Sequence, residues 1–224
     1  MPHFDIVRTN TPVNSFRTSK IQADFDVQLE HSNEHFVGDI VIPDKWSIGV
    51  IWGGSGTGKT TIAKELFSDC YVKEFEYTHP SVIDDMPNGD IKDIERMFYA
   101  VGFGSVPSWL KPYHVLSNGE KMRCDLARAL LGKDKVCFDE FTSVVDRQVA
   151  QTMCIAVNKA IKRTNKQFIA VTCHKDILQW LEADWIFDTN TMQMVFQNAH
   201  AKNNNMLFAN VGAKNGTNLG VITI

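Results

Sequence analysis

The sequence predicts an α/β protein: a largely parallel sheet with helices packed on it, preceded by an antiparallel β lobe. Three observations carry that prediction. Beyond residue 46, apolar runs of strand length alternate with segments of helical periodicity. One of those junctions is a glycine-rich turn between an apolar run and a helix, and residues 16–51 read instead as short strands. The 224 residues, 44% apolar and 22% charged, suit one soluble globular domain with a short appendage.

The β lobe is read from the alternation of Phe25, Val27 and Leu29, a turn through Asn33, and a second strand over 37–42 that stops at Pro43-Asp44. Residues 47–52, SIGVIW, form a continuous apolar run of buried-strand length, and KTTIAKELF after the glycines reads as a helix. Asp90 caps a helix whose apolar face carries Ile91, Ile94, Met97, Phe98 and Val101, closed by Gly102 and Gly104. SVPSWLKPYH, broken by Pro107 and Pro112, is a loop. A helix follows over 120–131 with Met122, Leu126, Ala129 and Leu130 on one face. Then come a strand at 135–138, a helix over 146–163, a strand over 168–173 and a short strand at 185–187. Residues 199–224 are dominated by Asn and Gly and read as a poorly ordered tail.

A net charge of −3 excludes a generally basic, nucleic-acid-coating surface. No run approaches the roughly 18 apolar residues a membrane span needs, and MPHFDIVRTN lacks the layout of a secretory signal, so a cytoplasmic protein is expected. Cys70, Cys124, Cys137, Cys154 and Cys173 show no CxxC spacing and read as small buried thiols rather than zinc ligands. Lys162, Arg163 and Lys166 cluster at a helix end, where they complement its C-terminal dipole or contact nucleic acid.

Gly53-Gly54-Ser55-Gly56-Thr57-Gly58-Lys59-Thr60 fits G-x-x-x-x-G-K-[ST], set between strand and helix. Glycines let consecutive backbone N–H groups face phosphate oxygens that side chains would block. The helix start adds its positive end, Lys59 reaches the β- and γ-phosphates, and Thr60, with Thr61 beside it, can place a hydroxyl on Mg²⁺. The motif makes this a P-loop NTPase core and leaves kinases, GTPases and motor ATPases open. Lys135–Phe138 then delivers Asp139 and Glu140 at a strand's carboxyl end, where ligands collect in open α/β sheets. Asp139 suits a Mg²⁺ site and Glu140 the polarisation of an attacking water. A third strand delivers His174, placed to hydrogen-bond the γ-phosphate and that water.

Leu116-Ser117-Asn118-Gly119-Glu120 contains a capping box, Ser117-x-x-Glu120, yet the glycine inside it frees a backbone N–H for a ligand. Here the chain resembles the ABC-class ATPases. Their signature LSGGQ is matched by LSNGE, with Arg123 and LARALL following, Ser143-Val144-Val145-Asp146 resembles the D-loop, and His174 the switch histidine. The resemblance covers about residues 16–198, hence an ATP-binding domain over 1–198 and the tail over 199–224. FDEFTSVVDR and PSWLKPYHVLSNGE narrow it to soluble prokaryotic and phage members, some of which are fused to acetyltransferases.

The resemblance implies ATP and Mg²⁺ as ligands, with a nucleotide-dependent homodimer in which Ser117, Gly119 and Asp146 of one copy complete the phosphate site of the other. It also implies catalytic roles for Glu140, His174 and Lys59. The pattern departs chiefly at the Q-loop, where no glutamine is present and Asp84 or Asp85 stands in its place, and to a lesser degree at Glu120, which replaces the signature Gln. Phe25, His31, His35 and Phe36 are the candidates for the adenine-stacking position. The segment between Thr61 and Leu116 is short, which gives a reduced helical lobe. The expected function is therefore ATP hydrolysis coupled to a soluble protein or nucleic-acid partner. The alternatives are the ATP-binding subunit of a transporter whose spans lie on another chain, and a P-loop small-molecule kinase.

Overall fold

A computed structural model describes residues 3–10, 15–27, 32–87, 89–196 and 207–208. Its centre is a six-stranded sheet of β3 (Ile48–Trp52), β4 (Lys135–Phe138), β5 (Gln167–Thr172), β6 (Trp185–Asp188), β7 (Gln193–Phe196) and β8 (Leu207–Phe208), in the spatial order β4-β5-β3-β6-β7-β8. Strands β4, β5, β3 and β6 are parallel, and β7 and β8 add antiparallel. Both faces are covered, so β3 and β5 read as unbroken apolar runs. Ile48 and Val50 of β3, with Phe168 and Ala170 of β5, pack toward one core, and Ile51, Ile169 and Val171 toward the other.

The larger core is closed by α3 (Ile91–Ala100), α5 (Asn118–Gly132) and α6 (Arg147–Lys162). Asp90 caps α3 as expected, through Oδ1 accepting from Lys92 N at 2.9 Å, but Ile91 is 51% exposed and not part of the buried face. The predicted loop after Gly104 contains one helical turn, α4 (Val106–Trp109), with Pro107 in its first turn, and a 3₁₀ turn at Tyr113–Val115. Helix α5 is held from behind by Asp125, which accepts from Tyr77 Oη at 2.8 Å and Tyr113 Oη at 2.6 Å; the two rings stack 4.0 Å apart. Burial raises the Asp125 carboxyl above its ordinary pKa, and the two phenols oppose that rise.

The other face carries α2 (Lys59–Leu66) and a two-stranded antiparallel lobe of β1 (His3–Asn10) and β2 (Ser32–Asp39), registered from His3 opposite Asp39 to Asn10 opposite Ser32. Phe4 and Phe36 are the lobe's buried aromatics, Phe4 meeting Phe187 edge-on at 5.8 Å. The antiparallel lobe is thus present, with different elements. The first strand lies at 3–10, and the predicted strand around Phe25 is the end of α1 (Phe16–Phe25). A local capping box decides this: Ser15 Oγ accepts from Thr18 N at 3.2 Å, and Thr18 Oγ1 accepts from Ser15 N at 2.7 Å. None of the helix is buried, and Phe16 is 85% exposed, so burial does not overrule the cap.

Four cysteines are buried as expected; Cys173 is exposed. Most of the 199–224 tail lies outside the described residues, and within it Leu207 and Phe208 pair with Phe196 and Val195.

Candidate functional site

The registers of β3, β5 and β4 bring three chain segments to one edge. Trp52 pairs with Thr172 and Phe138 with Ala170, so the residues that follow, Gly53, Cys173-His174 and Asp139-Glu140, emerge along the carboxyl ends of adjacent strands. Strands β3 and β4 stand two spacings apart, about 9–10 Å, with β5 between them. His174 N donates to Thr172 Oγ1 at 3.1 Å, while its Nδ1 is buried without a hydrogen-bond partner among the described residues.

The Gly53–Thr60 loop is shaped by what surrounds it. A Cβ on Gly53 would lie 2.0 Å from Thr189 Oγ1, and one on Gly58 2.5 Å from the Phe36 ring; Gly58 also has φ +84°. Thr57 Oγ1 donates to Gly54 O at 2.9 Å and shares a 2.6 Å hydrogen bond with Thr189 Oγ1, and Gly54 N donates to Asn190 Oδ1 at 2.9 Å. Lys59, itself buried, folds back so that Nζ donates to Gly54 O at 2.5 Å. For the N–H groups of Ser55, Gly56, Thr57 and Gly58 no protein acceptor is found among the described residues. A loop with glycine at every second position or closer, free N–H donors, a lysine and a helix start fits a polyphosphate.

Asp139 is held by Tyr71, whose Oη donates to Asp139 Oδ2 at 2.6 Å, and its Oδ1 accepts from Glu140 N at 2.8 Å. Burial pushes the Tyr71 phenol well above its ordinary pKa, and the Asp139 carboxylate adds to the rise, so Tyr71 stays a donor. Glu140 is exposed with φ +50°, and Thr142 has φ +68°. Phe141 between them is buried and bonds Val171 O through its N–H at 2.9 Å. No group of three or more His, Cys, Asp and Glu able to hold a metal occurs among the described residues. Asp139 and the Thr60 hydroxyl are hard oxygen donors of the kind that could hold a Mg²⁺ ion whose other ligands are phosphates and water.

Ser117, Gly119 and Asp146 form a second group. The capping box of α5 is complete: Ser117 Oγ accepts from Glu120 N at 3.3 Å, and Ser117 N donates to Glu120 Oε2 at 2.9 Å. With hydrogen bonds from Ser108 Oγ first, then Ser117 N and Oγ, the Glu120 carboxyl is pushed down to about 2. Gly119 backs onto Val145: a Cβ there would lie 3.0 Å from Val145 Cγ1. Asp146 caps α6, its Oδ1 accepting from Val149 N at 2.9 Å. Arg123 lies near Glu120 and Asp146; burial lowers its pKa and its Nε has no partner among the described residues.

Compared with known proteins, the chain matches no family model. Its fold matches the dimeric structure of MJ0796, described as a bacterial ABC transporter cassette, with TM-score 0.54 at 15% identity over 69% of this chain and 87% of that one. The fold is that of an ATP-binding cassette. A post-hydrolysis MJ0796 dimer bound to ADP and Pi matches with TM-score 0.55, 14% identity, and 72% and 89% coverage. CbiO1 of Clostridium perfringens, part of an ABC transporter complex, matches with TM-score 0.51, 20% identity, and 71% and 77% coverage. In sequence the chain is 28% identical over 196 residues to the inner membrane ABC transporter ATP-binding protein YddA of Escherichia coli K12. That match takes in 75% of this chain and 33% of the relative, so the chain spans about a third of that protein's length.

The two acids expected to stand at the Q-loop position are both hydrogen-bonded within their own turn. Asp84 accepts from Ser81 Oγ. Asp85 is buried, which opposes its charge, but hydrogen bonds from the His79 ring and from the N–H groups of Thr78 and His79 hold its pKa below the ordinary value. Both read as turn anchors. Of the adenine-stacking candidates, Phe25 is exposed on α1, and His35 is exposed with Nε2 2.6 Å from Asp5 Oδ1. Phe36 packs under Gly58, and His31 lies outside the described residues. Sequence reasoning missed Tyr71, Thr189 and Asn190. Thr189-Asn190 follows a strand, which is a usable hint; nothing local marks Tyr71.

Proposed function

We propose that this cassette binds Mg-ATP and hydrolyses it as a nucleotide-sandwich dimer. The observation that carries the reading is the single edge on which a glycine-rich loop with open N–H donors, Asp139-Glu140 and His174 converge. Gly53–Thr60 wraps the phosphates, with Lys59 turned from Gly54 O onto phosphate oxygens. Thr60 and Asp139, oriented by Tyr71, hold Mg²⁺, which neutralises phosphate charge when bound. Glu140 takes a proton from the attacking water, and His174 orients that water. Ser117 and Gly119 of the partner copy, with its Asp146, complete the site; the dimeric architecture of the MJ0796 cassettes supports this.

For what the hydrolysis drives, the relatives favour the ATP-binding part of a transporter over the soluble-partner reading, since YddA and CbiO1 are both described as transporter components. No helix among the described residues is long and apolar enough to cross a membrane, so the spans would lie elsewhere. The narrower likeness to soluble phage-type members rests on FDEFTSVVDR and PSWLKPYHVLSNGE alone, and the short helical lobe weighs on the same side. Copurification of a membrane protein with the Glu140→Gln protein and ATP decides between them; capture of a soluble protein alone reverses the preference.

The test of the core reading is nucleotide binding and product analysis. Lys59→Ala should weaken ATP binding at least about tenfold, the loss expected of one charge-assisted contact. The parent should release free phosphate, whereas a phosphorylated acceptor would make it a kinase. Unchanged affinity in the variant sinks the assignment.

A further inference from the structure

Away from the nucleotide edge, a groove of about 720 Å³ opens between α3, α5 and the C-terminal half of α6. Because α6 runs from the carboxyl end of β4 to the amino end of β5, the groove sits toward the opposite edge of the sheet. Its floor is apolar: Met97 and Ala100 from α3, Leu130 and Leu131 from α5, Ala156 and Ala160 from α6. The two alanines, one turn apart, give the groove its depth, because any longer side chain there would fill it. Tyr99, 56% exposed, stands on one wall.

The rim is cationic. Lys159 and Arg163, also one turn apart on α6, form a row beside the alanine row, and Arg96 and Lys166 face them, against the single carboxylate of Asp93. Asp93 is committed to Arg96 at 3.0 Å, and Lys166 bonds Lys133 O at 2.9 Å and Asp134 Oδ1 at 3.1 Å. Lys159 and Arg163 have no ion-pair partner among the described residues.

We propose that this groove docks an amphipathic helix of a protein partner, its apolar row flanked by aspartates or glutamates. A helix is about 10–12 Å across with side chains, and helix walls receive another helix by seating its i, i+3, i+4, i+7 residues. The groove has no free strand edge to pair an extended peptide. Its apolar floor would strand the phosphates of a nucleic acid, which need charge along the whole track. The alternating apolar and basic rows on α6 match an apolar row beside an acidic one. The proposal stands whether or not the cassette hydrolyses ATP.

The full chain is used to select from a displayed library of helical peptides about 16 residues long, roughly 24 Å of helix, and the recovered peptides are measured by fluorescence anisotropy. Acidic amphipathic sequences should be enriched. Lys159→Glu with Arg163→Glu should weaken their binding at least about tenfold through charge reversal at the rim, and Ala160→Leu should weaken it comparably by filling the groove. Thermal melts of the variants confirm folding; if Ala160→Leu is unstable, Ala156→Ser, which makes the floor polar, takes its place. Recovery of peptides without an acidic amphipathic pattern overturns the proposal, as does binding indifferent to both changes. A single-stranded oligonucleotide that binds through Lys159 and Arg163 and ignores Ala160→Leu would make this a nucleic-acid surface instead, and the proposal fails.

Discussion

Gly58→Ala tests whether the β lobe is seated on the phosphate loop. Gly58 has φ +84°, where an L-residue costs about 1–2 kcal/mol. The new Cβ would also lie 2.5 Å from Phe36 Cε1 and 2.8 Å from Cδ1 and Cζ, a contact that must be relieved by moving a ring that is only 8% exposed. Overpacking of this kind costs about 1–3 kcal/mol, so the sum is roughly 2–5 kcal/mol. At about 2–4 °C per kcal/mol for a chain of this size, the melting temperature should fall by roughly 4–20 °C. Only the steric part depends on Phe36. Urea unfolding of the parent, Gly58→Ala, Phe36→Leu and the double variant separates the two: leucine lacks the offending ring atoms, so a coupling of at least about 1 kcal/mol is expected. Equal costs of Gly58→Ala in both backgrounds would refute the contact and with it the seating of the lobe.

Glu140→Gln should cut phosphate release at least about 10²-fold, as loss of a general base does, and accumulate an ATP-bound dimer; light scattering that shows only monomer at saturating ATP removes Glu140 from the chemistry. Tyr71→Phe deletes the 2.6 Å hydrogen bond to Asp139 and should raise the Mg²⁺ concentration for half-maximal activity about tenfold or more, roughly the 1.5–3 kcal/mol of a hydrogen bond to a charged group; an unchanged Mg²⁺ titration would show that Asp139 needs no such anchor. Glu120, held near 2 against an ordinary 4.5, contributes stability fully present above about 4.5 and lost as pH falls toward 2. The stability gap between parent and Glu120→Gln should close over that interval, and a pH-independent gap would mean the hydrogen bonds from Ser108 and Ser117 do not favour the carboxylate.

What could be read from the chain was what is decided locally or by burial on both faces. Strands β3, β4 and β5 are short apolar runs that end in a turn, and their order alone put Gly53, Asp139 and His174 at one edge. Helices α3, α5 and α6 each begin at a capping residue visible in the sequence, Asp90, Ser117 and Asp146. Helix α1 was hidden because Phe25, Val27 and Leu29 imitate strand alternation, and the Ser15–Thr18 box that opens it carries no Glu or Gln. The braces of the site were hidden for a different reason. Tyr71 reaches Asp139 across 68 positions and Asn190 reaches Gly54 across 136, and no periodicity connects residues so far apart. The Q-loop acids show the converse: a correct place in the chain, but carboxylates already committed to Ser81, Thr78 and His79.

The contact between Gly119 and Val145 joins the first turn of α5 to the residue before the cap of α6. These helices are 15 and 16 residues long, so they reach about 22 and 24 Å from that contact. Were the two helices to pivot as rods on that contact, they would form a lever with a shared fulcrum. A tilt of roughly 5° at the fulcrum carries the far ends by about 2 Å, a large fraction of a side chain's width. Leu131 and Arg163, which lie at those far ends, would move by that amount for a change at Gly119 too small to break a hydrogen bond.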